Sequence, residues 1–222
     1  MFESSNCIYN SYYRSVVVMN VTWSHPFTAI LSGPTGCGKT QFIFKFIRHV
    51  SQLMSPPPEQ IIYCFGEYQE IYSHYSNVEF NEGLPDLARF DGSRRVLLIL
   101  DDLMNESGDG VEKIFTKYSH HRNISIMYLC QNLFYKSKGS RTMSLNAHYL
   151  VIFKSPRDVL QVATLARQMY PGRSKFLIEA FHDATSKPFS YLLLDLKPTT
   201  EDQLRVRTNI FPDETCIVYI PK

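Results

Sequence analysis

The segment Gly33–Thr40, which reads GPTGCGKT, constrains this chain more than any other feature. It follows an apolar run, Phe27–Leu31, that is typical of a buried strand. After it, apolar residues recur at helical spacing from Lys39 to Met54. A strand, a glycine-rich turn and a helix form the context in which the pattern G-x-x-x-x-G-K-[ST] binds phosphate. The sequence therefore predicts a strand, a phosphate-binding loop and a helix in this order.

The residue types of this segment suit a nucleotide and its metal. Glycines let the backbone wrap a phosphate, and the turned amides and the helix N-terminus point partial positive charge at it. Lys39 adds a full positive charge, and Thr40 offers a hydroxyl to Mg2+. We expect ATP and Mg2+ as ligands, with the nucleotide bound by Gly33, Pro34, Thr35, Gly36, Cys37, Gly38, Lys39 and Thr40. Cys37 could make the loop sensitive to oxidation, but an incidental small residue is the simpler interpretation.

A second motif is the apolar run Val96–Leu100, which ends in Asp101 and Asp102. A carboxylate at the carboxyl end of a buried parallel strand faces the crevice in which ligands bind. Downstream of a phosphate-binding loop, such a carboxylate holds magnesium directly or through water. We therefore expect Asp101, together with Thr40, to be a magnesium ligand.

Apolar strands alternate with helical segments along the rest of the chain, which predicts an α/β fold with a mainly parallel central sheet flanked by helices. Another apolar strand, Ile124–Cys130, ends at Gln131, and Asn132–Arg141 is predicted as a polar loop. We find no linker, so we expect one domain over residues 1–222. Residues 1–22 form an N-terminal extension in which Val16–Val21 is a candidate edge strand.

Composition excludes several other classes of protein. The longest aliphatic run is Val96–Leu100, far short of the roughly 20 apolar residues of a membrane span. The first residues lack the pattern of a secretory signal, so we expect an intracellular protein without a membrane partner. Five scattered cysteines argue against disulfides and zinc fingers. The net charge of +2 is too small to indicate a nucleic-acid binder by itself.

The order of the motifs resembles the additional-strand, catalytic-carboxylate branch of P-loop NTPases, which includes RecA-like and FtsK-like ATPases. A strand, Ile61–Phe65, lies between the phosphate loop and the Asp101 strand, and a later strand ends in a polar residue. The resemblance implies that Asp102 orients the attacking water and that Gln131 senses the γ-phosphate. Asp102 is one methylene shorter than the more usual glutamate, and Glu106 is the alternative carboxylate.

Longer segments resemble the viral genome-packaging ATPases of the FtsK/HerA superfamily, in particular those of polinton (Maverick) elements, virophages and poxvirus-type viruses. The similar segments are HPFTAILSGPTGCGKTQFI, VLLILDDLM, ISIMYLCQNLF, YLVIFKSPRD and LRVRTNIFP, and they cover about Trp23 to Pro212. The resemblance implies an ATP-driven motor that pumps double-stranded DNA into a viral capsid. It also implies a homo-oligomeric ring, a pentamer or hexamer, at a capsid or portal vertex. The expected location is the host cytoplasm or nucleus, at sites of virion assembly, or the virion itself.

The same resemblance suggests residues that act between subunits and on DNA. In FtsK-like motors an arginine near the position of Arg122 reaches the neighbour's nucleotide, so Arg122 is expected to be catalytic in trans, with Arg157 and Arg167 as alternatives. The segment Phe134–Arg141 interleaves aromatic and basic residues, and it is either a DNA-contacting loop or an ordinary solvated one. Arg205 and Arg207 are the next candidates for a DNA contact.

Other functions remain open at this stage. A cellular HerA-like DNA translocase would use the same chemistry, although such proteins usually carry an extra domain for which this length leaves no room. A P-loop kinase acting on a small molecule would instead be a monomer or dimer with an arginine-rich lid. A regulatory P-loop protein would bind ATP without turnover. Ring assembly and DNA-stimulated hydrolysis separate the motor from the other classes.

Overall fold

The computed structural model describes residues 12–16, 22–101, 103, 108–118, 122–133, 138–157 and 159–222. The chain folds as two compact units. The first, here called the parallel unit, contains Thr22–Ser32 and Val50–His148. The second, the antiparallel unit, takes its described residues from 12–16, 33–49 and 149–222.

The strands and helices are as follows in chain order. The strands are β1 Tyr12–Val16, β2 Trp23–Ser24, β3 Thr28–Ser32, β4 Met54–Ser55, β5 Gln60–Phe65, β6 Glu79–Glu82, β7 Val96–Asp101, β8 Ile124–Cys130, β9 Tyr149–Phe153, β10 Tyr191–Asp195, β11 Val206–Thr208 and β12 Ile217–Pro221. The α-helices are α1 Lys39–Arg48, α2 Val50–Leu53, α3 Gly108–Lys113, α4 Lys138–Leu145, α5 Val159–Met169 and α6 Ser174–Ala184. A π-helical turn, Ile114–Tyr118, follows α3, and 3-10 turns occupy Glu70–His74, Leu87–Arg89 and Asp202–Leu204.

In the parallel unit the strand order is β3-β8-β7-β5-β6, and every neighbouring pair is parallel. Strand β8 therefore lies between β3 and β7. All residues of β7 and β8 are buried, which explains why both strands are apolar along nearly their whole length. Ser32 pairs with Cys130, and Leu129 pairs with Asp101, so the carboxyl ends of β3, β8 and β7 reach the same edge of the sheet.

At the opposite, amino edge of this sheet, a histidine joins the starts of β3 and β8. The backbone N–H of Phe27 donates to Ser125 Oγ (3.1 Å), which in turn donates to His25 Nδ1 (2.6 Å). Because Nδ1 then accepts, the proton lies on Nε2, which donates to Asn123 Oδ1 at 2.8 Å. Burial lowers the pKa of His25, and the nearby Arg95 charge lowers it further. The ring is thus a neutral link between two strands.

In the antiparallel unit the order is β1-β12-β11-β10-β9, and every neighbouring pair is antiparallel. Helix α1 packs on this unit through Phe42, whose ring centroid lies 4.8 Å from that of Tyr191 and 5.1 Å from that of Phe211. Lys45, one turn further, binds Glu214 at 2.6 Å and Asp213 at 3.0 Å. These contacts fix the helix that follows the glycine-rich loop.

The α/β class and the parallel sheet predicted from sequence are confirmed. The antiparallel arrangement of the C-terminal strands was not predicted. The edge position in the antiparallel order belongs to β1 at Tyr12–Val16, and residues 17–21 of the candidate strand lie outside the described residues. Within the described part of the chain, no helix is both long and apolar enough to cross a bilayer.

The helical stretch expected from Lys39 to Met54 is confirmed over most of its length, because α1 covers Lys39–Arg48 and α2 covers Val50–Leu53. It differs only at His49, which separates the two helices, and at Met54, which is extended and pairs with Trp23 in the β2–β4 pair. One local prediction was wrong. The loop expected over Asn132–Arg141 contains the start of α4, which runs from Lys138. Its sequence, KGSRTMSL, has weak helix propensity, so the helix depends on packing such as that of the buried Met143.

Candidate functional site

The loop between β3 and α1 has the backbone that its glycines predict. Gly36 (φ 78°) and Gly38 (φ 109°) are left-handed, a region that favours glycine. A Cβ atom on Gly33 would lie 2.7 Å from Cys37 Sγ and 2.8 Å from Phe153 Cβ, so no larger residue fits there. The backbone N–H of Cys37 donates to the Pro34 carbonyl at 3.2 Å and closes the turn.

Positive charge is concentrated on this loop. The Lys39 ammonium group donates to the Gly33 carbonyl at 2.5 Å and to the Pro34 carbonyl at 3.1 Å, so the side chain folds back over its own loop. Gly38 is the N-cap of α1 and has no side chain with which to cap it. In the first turn of α1, which the structure describes in full, no residue is acidic. The helix N-terminus and the lysine therefore both favour an anion.

Cys37 lacks the low pKa of a reactive cysteine. Burial raises the pKa of its thiol, and the nearby Lys39 charge offsets this only in part. The thiol is therefore protonated at neutral pH, whereas reactive cysteines are thiolates. This favours the interpretation of Cys37 as an incidental small residue, packed beneath Gly33.

Asp101 is the last residue of β7, and only 9% of it is exposed. Its Oδ2 accepts a hydrogen bond of 2.5 Å from the hydroxyl of Tyr63, which is fully buried. Burial, and then the Asp101 charge, raise the pKa of Tyr63, so the phenol stays protonated and donates. The pKa of the adjoining Tyr72 is raised to about 12, mainly by burial. The Tyr63 hydroxyl therefore orients the Asp101 carboxylate.

Sequence analysis missed Tyr63. The signal lies in strand pairing, because Phe65 pairs with Asp101 in the parallel register and Tyr63 is two residues earlier on the same face of β5. That register cannot be obtained from one sequence without the strand order. Tyr63 belongs to an aromatic cluster with Tyr72 and Phe80, whose centroids lie 5.2 and 5.6 Å from its own.

The other predicted residues of the carboxyl edge are only partly described. Gln131 follows β8 directly, is exposed, and lies at the same edge as Asp101. Asp102 and Glu106 lie outside the described residues. The hard oxygen donors of Thr40 and Asp101 are those that Mg2+ prefers. Thr40 belongs to the antiparallel unit and Asp101 to the parallel unit.

Arg122 lies at the amino edge of the parallel unit, in the turn before β8. Its guanidinium group donates to the Leu87 carbonyl and lines a cavity of about 300 Å³ together with Arg89 and Arg94. Strand β8 separates this edge from that of Asp101 by roughly 20 Å, at about 3.3 Å per residue. The structure thus does not bring Arg122 together with Asp101 or Gln131 of the same chain.

The alternatives to Arg122 as the arginine that acts in trans are Arg157 and Arg167. Both are exposed residues of the antiparallel unit.

The candidate DNA contacts divide into two groups. Residues 134–137 lie outside the described residues, and Lys138 and Arg141 fall in α4.

The second group is the pair Arg205 and Arg207. Arg207 is unsuitable as a DNA contact, because it is buried and pairs with Asp195 at 2.9 Å. Arg205 donates to Asp202 at 2.7 Å and to the Lys197 carbonyl at 2.8 Å. The pair Arg205 and Arg207 therefore stabilises the fold.

No protein-family model matches this chain, and no curated protein matches it. The function must therefore be argued from the geometry described above and from the motifs of the sequence.

Proposed function

We propose that this chain is a magnesium-dependent ATPase. The observation that carries the proposal is the loop Gly33–Thr40, whose left-handed glycines and inward-folded Lys39 precede a helix N-terminus without an acidic first turn. Such a loop supports binding of the β- and γ-phosphates by backbone amides and one ammonium group. Thr40 and Asp101 would hold Mg2+, which supplies charge neutralisation on the phosphates when it is bound.

The strand order supports assignment to the additional-strand, catalytic-carboxylate branch of P-loop ATPases. In the sheet, β8 lies between the phosphate-loop strand β3 and the magnesium-aspartate strand β7, whereas β5, which lies between these two strands along the chain, pairs with the other side of β7. We take β8 as the additional strand, and Gln131, the proposed γ-phosphate sensor, follows it directly. Asp102 would orient a water molecule for attack on the γ-phosphorus, and the bond to the β-phosphate oxygen breaks to give ADP and phosphate.

We further propose that ATP hydrolysis drives double-stranded DNA into a viral capsid. This rests on the resemblance of the HPFT, DDLM and CQNLF segments to packaging ATPases of the FtsK/HerA superfamily. A ring assembly gives Arg122 a role, because an arginine at the amino edge is remote from its own Asp101 and could complete only a neighbour's site. The partners would be DNA, the capsid or portal vertex, and further copies of this chain.

Turnover of ATP in two variants tests the ATPase assignment. Lys39→Ala removes the charge that holds the phosphates, so ATP binding should weaken and hydrolysis should vanish. Asp102→Asn keeps the shape but removes the carboxylate, so ATP should still bind while turnover falls by roughly 10²-fold or more. The matched control is Lys175→Ala, which removes an exposed lysine from α6 and should leave both quantities unchanged.

The measurement is ATP affinity by calorimetry together with phosphate release in Mg2+. Wild-type turnover in a folded Lys39→Ala variant would exclude the loop as the nucleotide site. Normal turnover in Asp102→Asn would exclude Asp102, and Glu106 would become the carboxylate to test.

A further inference from the structure

The turn that leads into β10 carries an aromatic residue where a glycine is expected. The backbone N–H of Ser190 donates to the Lys187 carbonyl at 3.4 Å, and its hydroxyl donates to the same carbonyl at 2.6 Å. Pro188 occupies the second position of this turn, and Phe189 the third, with φ at 62°. Proline followed by a positive φ is the pattern of a type II turn, whose third position usually requires glycine or asparagine.

Phe189 contributes little to the stability of the fold in this position. A bulky residue at positive φ is a backbone outlier whose conformation is strained, and such residues cluster at functional sites. The residue is also 56% exposed, so burial of apolar surface offsets little of that strain. Packing within the protein therefore does not explain why a phenylalanine occupies this position, and a role in binding would.

The neighbour of Phe189 is the phosphate loop. A Cβ atom on Gly38 would lie 3.1 Å from Phe189 Cβ and 3.3 Å from its Cα and Cδ1 atoms. Both residues belong to the antiparallel unit. The exposed ring therefore stands at the rim of the loop, beside the residue that caps α1.

We propose that Phe189 is the residue on which the base of the bound nucleotide stacks. This inference rests on the proposed function, because it assumes that the loop Gly33–Thr40 holds the phosphates of a nucleoside triphosphate. The phosphate chain fills the loop, so the nucleoside must leave it at the rim, and an aromatic face there offers the base a stacking partner. Stacking needs no hydrogen-bond readout, since every base has a π-face. The left-handed backbone keeps the ring beside Gly38 instead of in the core.

The test compares ATP with inorganic triphosphate, which has the same phosphate chain but no base. Dissociation constants for both ligands are measured by calorimetry in Mg2+ for the wild type and for Phe189→Leu. Phe189→Leu should weaken ATP binding about tenfold, the scale of one stacked base, and leave triphosphate binding unchanged. Phe189→Trp should restore ATP affinity. Tyr68→Leu, at a 65% exposed aromatic residue of the parallel unit, is the control and should change neither constant.

Two results would overturn the stacking role. Equal losses for ATP and triphosphate would mean that Phe189 supports Gly38, and no loss for either would mean that the base lies elsewhere. The proposed function fails in a different way, since the wild type would then bind neither ATP nor triphosphate.

A second variant, Phe189→Gly, should change stability and ATP affinity in opposite directions. Phe189→Gly relieves the positive φ, so the unfolding midpoint should rise while ATP affinity falls. A lower midpoint together with unchanged ATP affinity would show that the ring serves the fold and would overturn the proposal.

Discussion

The Tyr63 hydroxyl helps to orient the Asp101 carboxylate. The side chain is almost fully buried, and the Tyr63 hydroxyl donates to Oδ2 at 2.5 Å from inside an aromatic cluster. A buried carboxylate that loses a donor bears the desolvation cost of that oxygen. Loss of the Tyr63 hydroxyl should therefore lower the stability of the fold. It should also leave Asp101, the proposed magnesium ligand, less well oriented to bind Mg2+.

Tyr63→Phe tests this arrangement at a single atom. The variant should lose about 1–3 kcal/mol of unfolding free energy, the usual cost of removing a partner from a buried polar group. It should also need more Mg2+ for half-maximal ATP hydrolysis, because the Asp101 carboxylate loses a hydrogen bond that orients it. Both are measured by urea unfolding and by magnesium titration of turnover.

A matched control exists in the other unit. Tyr219 donates to Asp183 Oδ2 at 2.6 Å, so Tyr219→Phe removes a similar bond from a carboxylate with no proposed metal role. Its stability should fall while its magnesium requirement stays that of the wild type. An unchanged magnesium requirement in Tyr63→Phe would show that the Tyr63 bond is structural only.

Among the elements, β3 and β8 are joined at their amino ends by His25 acting through Ser125 and Asn123. The histidine belongs to the HPFT segment before β3, and Asn123 adjoins Arg122. Asn123 itself is left-handed (φ 57°), a conformation that asparagine tolerates. This network therefore sets both the pairing of two central strands and the backbone of the turn that carries Arg122.

The pH dependence of stability should report this network. Burial lowers the pKa of folded His25 below its ordinary value of 6.5, so the unfolded chain takes up the proton first as pH falls. The contribution of His25 is complete above about pH 6.5 and is lost as pH falls through the folded pKa. Urea unfolding should show a smaller loss between about pH 7.5 and 5 in His25→Gln than in the wild type. Identical losses would mean that His25 does not titrate with unfolding.

Sequence reasoning succeeded where local chemistry dictates structure. Gly36 and Gly38 need left-handed backbone, and the apolar runs of β7 and β8 need burial on both faces, so both were predictable. It failed where distant segments decide. The Tyr63–Asp101 hydrogen bond depends on strand register, and α4 depends on tertiary packing. Arg207 was a candidate DNA contact, but its ion pair with Asp195 depends on a strand pairing that the sequence does not reveal.

Phe189 shows the same limit from another side. The sequence KPFS predicts a turn, but not a positive φ at a phenylalanine, since that position favours glycine. Local rules are broken most often where a residue has a function, so such a position is hard to predict from propensity.

At the scale of the whole molecule, the position of Arg122 predicts an active site shared between copies. Arg122→Ala should bind ATP normally and hydrolyse it ~10³-fold or more slowly, as expected for loss of an arginine that acts in trans. When it is mixed with Lys39→Ala, partial turnover should return, because an Arg122→Ala subunit keeps its own loop and borrows an intact arginine. Arg94→Ala, which alters the same cavity, is the control and should hydrolyse ATP normally.

The mixing result is decisive only in rings shown by native mass spectrometry to contain both variants. No recovery in such rings would place Arg122 outside the neighbour's active site. Arg157 and Arg167 would then be tested in the same way.

The central claim is that ATP hydrolysis by this chain is coupled to double-stranded DNA, and its most direct measurement is steady-state ATP turnover as the DNA concentration is raised. The assembled wild-type chain should hydrolyse ATP faster as double-stranded DNA is added, and Lys39→Ala should show no turnover at any DNA concentration. Turnover that ignores DNA but rises with a small phosphoryl acceptor would contradict the account and indicate a kinase.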